Sequence, residues 1–510
     1  MKNRKLKWVL LLIFLLSISL PYVIANFFHP EEFVFGGYLQ NPLDGNSYLA
    51  KMRQGYDGEW LFFLPFTSEK GAATLLFTFY LFLGHVARFS GLSLLIVFHV
   101  ARIGCSILLF FCVEKFLQLY LPDDENIFNG MFAICVFGSG LGSIAYIATG
   151  EMTADFWVAE AYPFLSAYSN PHFPLGISLL LFILIQFHKG AKGTGFLWLG
   201  ICSILLAIIL PFAFVIGLMV IGTKEMIGVI HSRNLKSISP VLFFNLVGLP
   251  ILIYQQWTAT HDPLLIVWNE QNITASPPLW DILVSLSPIL LFSVAGIFHT
   301  IKNKGEFELP TIWVMVSIVF LIIPISLQRR FLLGIFIPLS VLAGRGLFHA
   351  VLKQRLRKLC IMVVLFFSLL TNLVILTAGF SAGVLRNPKI YFSNDERQAL
   401  NWLNENASWD DVVLASPELS MFIPGWAGAR VVYGHPFETI DAVGKEALVN
   451  DFYKSSKQTM AGQAFIQSQQ VKFIVNGPRE KELSGSRPSD GFPGCSKEYS
   501  NETVEIFQCQ

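Results

Sequence analysis

The chain is 510 residues long, 54% apolar and only 14% charged, with a formal net charge of +1. Soluble domains keep roughly a quarter of their residues charged, so this balance excludes a soluble globular protein and indicates a polytopic membrane protein. Near-neutrality leaves no surplus basic face once the cytoplasmic loops are supplied, so no nucleic-acid partner is expected.

The first apolar stretch, residues 8–27, follows Lys2, Arg4, Lys5 and Lys7. The positive-inside bias places that end in the cytoplasm. No small-x-small cleavage site lies between Pro21 and Phe28, so the stretch is expected to remain as a signal-anchor helix. The polar loop Gly36–Trp60 then emerges on the opposite face, carrying Asp44, Lys51, Arg53, Asp57 and Glu59 among aromatics.

A spanning helix needs about 20 mainly apolar residues. Further candidates are residues 93–117, 127–149, 173–188, 195–211, 212–230, 239–257, 279–300, 310–327, 331–350 and 359–380, about eleven transmembrane helices in all. Residues 72–90 form a twelfth apolar stretch. If it does not cross, the interior loops collect Lys115, Lys189, Lys192, Lys224, Arg233, Lys236, Lys302 and the group Lys353, Arg355, Arg357 and Lys358. The exterior loops after residues 149 and 257 then hold no lysine or arginine. If it does cross, the charge bias inverts. Residues 72–90 are therefore expected to form an amphipathic juxtamembrane or re-entrant segment, which suits Pro65, Gly84, Arg88 and Gly91.

An odd number of crossings leaves the C-terminus outside a plasma or inner membrane. From about residue 385 the composition turns soluble, dividing the chain into a transmembrane domain (1–384) and an extracytoplasmic α/β domain (385–510). Residues 394–403 read as a capped amphipathic helix. Residues 412–415, 429–433 and 471–475 read as short buried strands of a partly parallel sheet, with helices near 439–453 and 456–469. The expected fold is thus mainly α, with juxtamembrane helices and a small α/β domain. Five of seven cysteines lie in apolar runs and are expected to be inert. Cys495 and Cys509 lie in the tail, where an oxidising compartment permits a disulfide that spacing alone does not establish.

The exterior polar residues supply the candidate site. Asp44 suits a general base at a lipid surface, and its plainer role is a helix N-cap after Pro42-Leu43. Lys51 and Arg53 supply nearby cations. Arg329 and Arg330 adjoin on an exterior helix end, where orientation does not call for them. Their forks match a lipid phosphate, and the alternative is pairing with a loop carboxylate or snorkelling. Arg102, one turn from His99, lies in an apolar helix and must face the interior, toward a carboxylate or a phosphate. Asp155 and Glu160 cannot share a helical face, whereas Glu151 and Asp155 can. Oxygen ligands from the loops admit a divalent metal without singling out a site. His172 opens a helix and suits an anion, a hydroxyl or the helix end itself. His435 lies in the turn Gly434–Thr439, where Glu438 or Thr439 also suits a helix cap.

This layout resembles the GT-C-type membrane glycosyltransferases, which include the protein O-mannosyltransferases and lipid A aminoarabinose transferases. The likeness rests on Leu43-Asp44-Gly45-Asn46-Ser47-Tyr48-Leu49-Ala50, Asp155-Phe156-Trp157-Val158-Ala159-Glu160, Gln328-Arg329-Arg330-Phe331 and the run Pro338–Gly344. It implies a donor with a sugar linked through phosphate to a polyprenol, and a glycan, lipid or protein acceptor at the outer face of the bilayer. Asp44 would act as base or position the acceptor hydroxyl, and Arg329, Arg330 and Arg102 would stabilise the departing phosphate, with inversion at the anomeric carbon. The first loop has one acid at the expected place and no paired-acid motif, which leaves metal dependence open. Two other classes compete: a transporter or lipid flippase, suggested by Pro211, Pro250, Pro288 and Pro324, and a catalytically silent assembly factor.

Overall fold

The computed structural model describes residues 4–190, 194–232, 239–304, 307–456, 459–485 and 491–509. Lys2, Lys192, Arg233 and Lys236, used above for orientation, lie outside the described residues. The chain packs as two compact units, one of Met1–Pro21, Phe98–Tyr254 and Ile273–Gly379, the other of Tyr22–Val97, Gln255–Asn272 and Phe380–Gln510.

The chain is mainly helical. Among the described residues, five helices are long and apolar enough to cross a membrane: Arg4–Phe27, Leu94–Tyr120, Pro211–Ile230, Ser239–His261 and Gln354–Leu385. Two broken pairs bring the count to seven if each is one span. Glu125–Phe137 with Gly142–Thr149 bends by 49°, and Leu279–Ser285 with Ile289–Lys302 by 91°. The first break lets the Ser139 amide reach Ser368 O at 2.7 Å. It also sets Gly140 against Ser285, where a Cβ would lie 2.1 Å from the carbonyl oxygen. His172–His188, Thr194–Ile209, Leu309–Ile322 and Phe336–Ala350 are shorter apolar helices. At 14 to 17 residues they are roughly 21–26 Å long, short of a hydrocarbon core about 30 Å thick. All eleven expected stretches contain helix, but length and composition give five to seven candidate spans.

Small residues set the closest packing in the first unit. Ile289–Lys304 meets Phe336–Ala350 at Gly296 and Gly346, where an added Cβ would come within 2.0 Å of the Leu342 and Phe292 carbonyl oxygens. Ser293 crosses the same seam, donating to Leu339 O at 2.8 Å. Close backbone approach of this kind is how helices associate without a hydrophobic driving force.

In the second unit, helix Pro42–Asp57 crosses helix Thr78–Ser90. Gly84 lies against Met52 and Gly55 against Leu81, each leaving no room for a Cβ, and Tyr48 stacks on Tyr80 at 4.5 Å. Helix therefore covers only 78–90 of the stretch 72–90. Thr74 is held instead by paired backbone bonds to Phe62, of 2.7 and 2.8 Å, and this helix is not among those long and apolar enough to span.

The strands of this unit are β1 (Phe33–Phe35), β2 (Tyr391–Ser393), β3 (Val412–Leu414), β4 (Arg430–Val431), β5 (Val471–Asn476), β6 (Cys495–Ser500) and β7 (Glu505–Cys509). The five-stranded sheet has the order β4-β3-β5-β7-β6, with β3 parallel to β4 and β5, and β7 antiparallel to β5 and β6. β1 and β2 form a separate antiparallel pair. The expected helix appears as Asn394–Asn406, opened by a capping box between Ser393 and Glu396. Its Ala399, Leu400 and Leu403 pack with Val413, Phe473 and Ile506 on one sheet face. On the other face Val449, Phe452 and Ile466 cover Leu414 and Ile474. A disulfide joins Cys495 to Cys509 across β6 and β7, and the other five cysteines are free.

Candidate functional site

Asp44 is placed by the start of its helix. Pro42 occupies the first turn, where its missing N–H costs nothing, and the cap is Asn41. Asp44 is therefore not the N-cap expected from sequence. Asn41 sits at φ 47° and its amide nitrogen donates to Asp44 Oδ2 at 2.5 Å. The Asp44 side chain is 40% exposed, and its Oδ1 lies 3.5 Å from Nε2 of His435, whose side chain is only 3% exposed.

Behind this pair is a buried ionic cluster. Lys51, two turns along from Asp44, donates to Glu438 Oε1 at 2.6 Å and to the Ser47 hydroxyl at 2.5 Å, and Ser47 donates to the same carboxylate. The Lys51 ammonium also lies 4.3 Å from the centre of the Phe77 ring. Burial would raise the Glu438 carboxyl, but the Lys51 charge and the hydrogen bonds from Lys51 and Ser47 hold it below its ordinary value. Glu438 is thus an anchor, not the helix cap of the sequence reading. Thr439 is not that cap either. Its hydroxyl accepts from the Gly434 and His435 amides at 3.3 Å and donates to Phe66 O at 2.6 Å. The next helix starts at Ala442, after Asp441. Arg53 turns to Asp57 at 2.9 Å, and Asp57 also accepts from the Trp409 indole.

The arginines belong to the first unit, in a short 3-10 turn, Gln328–Leu332. Arg330 pairs with Glu160 Oε1 at 3.1 Å, and Arg329 lies 3.8 Å from the same oxygen. The pairing with a loop carboxylate, the plainer sequence reading, is therefore present. Glu160 is 3% exposed against 22% and 28% for the arginine side chains. Arg329 lies over the Trp157 ring at 4.8 Å and Arg330 near the Phe212 ring at 5.9 Å. Sequence reasoning missed Trp157 and Phe212 as the apolar backing of this pair.

Asp155 is wholly buried. It accepts from the Gly142 amide at 3.0 Å and the hydroxyls of Thr153 and Ser285 at 2.6 and 3.3 Å. Burial raises its carboxyl despite these bonds. Ser285 also donates to Asp281 Oδ1 at 2.7 Å, and Asp281 caps the Ala154 amide. The signal for Asp281 was an acid inside an apolar run, which is costly unless it has work there. The Glu151–Asp155 helical face does not form, because the helix is only Ala154–Trp157. Asp155's oxygens are directed at protein donors, and among the described residues no group of three or more His, Cys, Asp or Glu side chains is arranged to hold a metal ion.

Arg102 is 1% exposed and donates to the carbonyls of Ile18, Ala167 and Tyr168 at 2.8, 2.9 and 3.3 Å, and to His99. These bonds tie three helices together. His172 is the first residue of its helix, its ring tilted 42° to that of Phe173 with the centres 4.1 Å apart, while Asn170 Oδ1 accepts from the Phe173 amide.

No family model matches this sequence, and no curated protein matches it. Solved structures do match. The oligosaccharyltransferase of Archaeoglobus fulgidus, solved with a tethered acceptor peptide, is 12% identical with a TM-score of 0.53, over 93% of this chain and 69% of that one. ArnT from Cupriavidus metallidurans, solved with undecaprenyl phosphate, is 10% identical with a TM-score of 0.50, over 98% and 97%. The mycobacterial arabinofuranosyltransferase AftD is 12% identical with a TM-score of 0.50, and the chain covers 40% of its length. This chain shares the fold of these GT-C polytopic membrane proteins.

Proposed function

We propose that the chain is a membrane glycosyltransferase that moves a hexose or pentose from a polyprenyl-phosphate donor to a glycan, lipid or protein acceptor on the extracytoplasmic face. Supporting this are the shared fold and the undecaprenyl phosphate bound to ArnT. In the same reading the chain crosses the inner membrane eleven times, with 1–384 as the membrane domain and 385–510 outside.

The observation that carries the reading is Asp44, a half-exposed carboxylate held from one side by Asn41 and faced from the other by a buried imidazole. A partly exposed carboxylate of this kind can take the acceptor hydroxyl's proton as the bond to the anomeric carbon forms. The leaving phosphate gains charge as its bond to the sugar breaks, and Arg329 with Arg330 supplies fixed positive charge for it. Arg102 is already bonded to three carbonyls, so we assign it to the scaffold. Lys51 acts through Glu438, and Arg53 through Asp57. Asp155 holds the loop that carries Glu160.

The test is transfer from radiolabelled undecaprenyl-phosphate sugars, one hexose and one pentose, in purified membranes. Asp44→Asn is expected to lower transfer by roughly 100-fold or more at unchanged protein level. Wild-type rates from Asp44→Asn would overturn the reading.

A further inference from the structure

We infer that His435 is the positioning residue for Asp44, joining the C-terminal α/β segment to the first-loop helix through one hydrogen bond. This rests on Asp44 being the base. The Phe437 amide donates to His435 Nδ1 at 3.1 Å, so Nδ1 carries no proton and Nε2 does. That Nε2–H is buried and has no hydrogen-bond partner within bonding distance. What lies in front of it is Asp44 Oδ1, at 3.5 Å. An unsatisfied buried donor is costly, so closing this gap by a few tenths of an ångström is favourable, and the carboxylate is the group that satisfies it.

The imidazole is itself held in place. The amides of Gly434 and His435 share the Thr439 hydroxyl. The next ionic residue of the turn, Glu438, is bound by Ser47 and Lys51, which lie on the same helix as Asp44. Among the described residues, the charged groups shown to act on the ring are Asp44 from that helix and Glu438 from its own turn, with Lys51 bound to Glu438. The turn is thus fixed to the Asp44 helix at two points, one turn and two turns beyond the acid, before His435 makes its own contact. With Asn41 on Oδ2 and His435 on Oδ1, the carboxylate plane is set. The remaining lone pair of each oxygen is then aimed without rotation of the side chain.

A group that only aims the base should alter turnover and leave donor binding alone. In the purified full-length protein, His435→Ala is expected to lower kcat by roughly 10–100-fold, the cost of misplacing a reacting group by about an ångström, with KM within about twofold. His435→Gln, whose amide nitrogen can stand where Nε2 stood, should recover most of kcat. A His435→Ala enzyme with wild-type kcat, or a Gln variant as poor as Ala, overturns the inference. A second readout needs no turnover. The thermal midpoint of Asp44→Ala with His435→Ala should match the worse single variant, because one contact is lost once. Additive midpoints beside an inactive Asp44→Asn overturn only the positioning role, whereas full transfer by Asp44→Asn removes the base reading and this inference together.

Discussion

Lys51→Met tests the anchor beneath the proposed site. Lys51 is 1% exposed, and its ammonium supplies one of the two hydrogen bonds reaching Glu438 Oε1. Removing it leaves a buried carboxylate with Ser47 alone. Breaking a buried pair from one side costs about 3–5 kcal/mol, mostly as the charge left behind. At roughly 2–4 °C per kcal/mol for a unit of this size, the midpoint should fall by roughly 10 °C. Tryptophan fluorescence during heating in detergent reads it. The double variant Lys51→Met with Glu438→Leu removes both charges, so it should be more stable than Lys51→Met alone. Acidity gives a second check. Because the folded Glu438 carboxyl lies below its ordinary value of 4.5, the pair's contribution is full above that value and is lost as pH falls through the folded value. The gap between wild type and Lys51→Met should therefore be widest near neutrality and narrow at acid pH. A midpoint unchanged at neutral pH, or a gap that widens with acid, would refute the buried-pair argument.

Arg330→Gln should lower transfer from the labelled donor by roughly 100-fold in kcat, with Arg330→Lys between, since lysine keeps the charge and loses the fork. A Gln variant with wild-type kcat would remove the phosphate role. Gly84→Leu places carbon where a Cβ already comes within 1.9 Å of Met52 O, and it should cost at least about 1–3 kcal/mol as a lowered midpoint. An unchanged midpoint would mean the two helices do not cross there.

What the sequence made legible were the features carried by local pattern. Apolar runs placed every long helix, and alternation with turn residues placed β3, β4 and β5. β6 escaped because Cys495-Ser-Lys-Glu-Tyr-Ser is an exposed edge strand with no apolar face to show. The β1–β2 pair escaped because three-residue strands carry no period at all. The cap at Asn41 was readable and missed: a proline at the first helical position implies that the residue before it is the cap. Asp44 stood out as an acid among aromatics. His435 stood out as a turn residue, but the meeting of the two segments did not, because Ser47 and Glu438, which join them, are 391 residues apart along the chain and no spacing rule reaches that far. Eleven apolar stretches were legible, but hydropathy measures composition, whereas a long unbroken helix is formed by five of them and a bent pair by two more.

Glu160 at first looks like a rival to the phosphate role, since it already occupies the arginines. The charges argue otherwise. Glu160 lies within 3.1 Å of Arg330 and 3.8 Å of Arg329, and without it the two guanidinium groups would repel each other apart. Glu160 is buried and both arginine side chains are partly exposed, so an anion from outside would meet the guanidinium groups before the carboxylate. Trp157 and Phe212 flank the cations with apolar surface that displaces water, where an approaching anion would feel a stronger field than in bulk water. On the proposed reading Glu160 would hold two like charges side by side, so that a phosphate would meet a fork already in position.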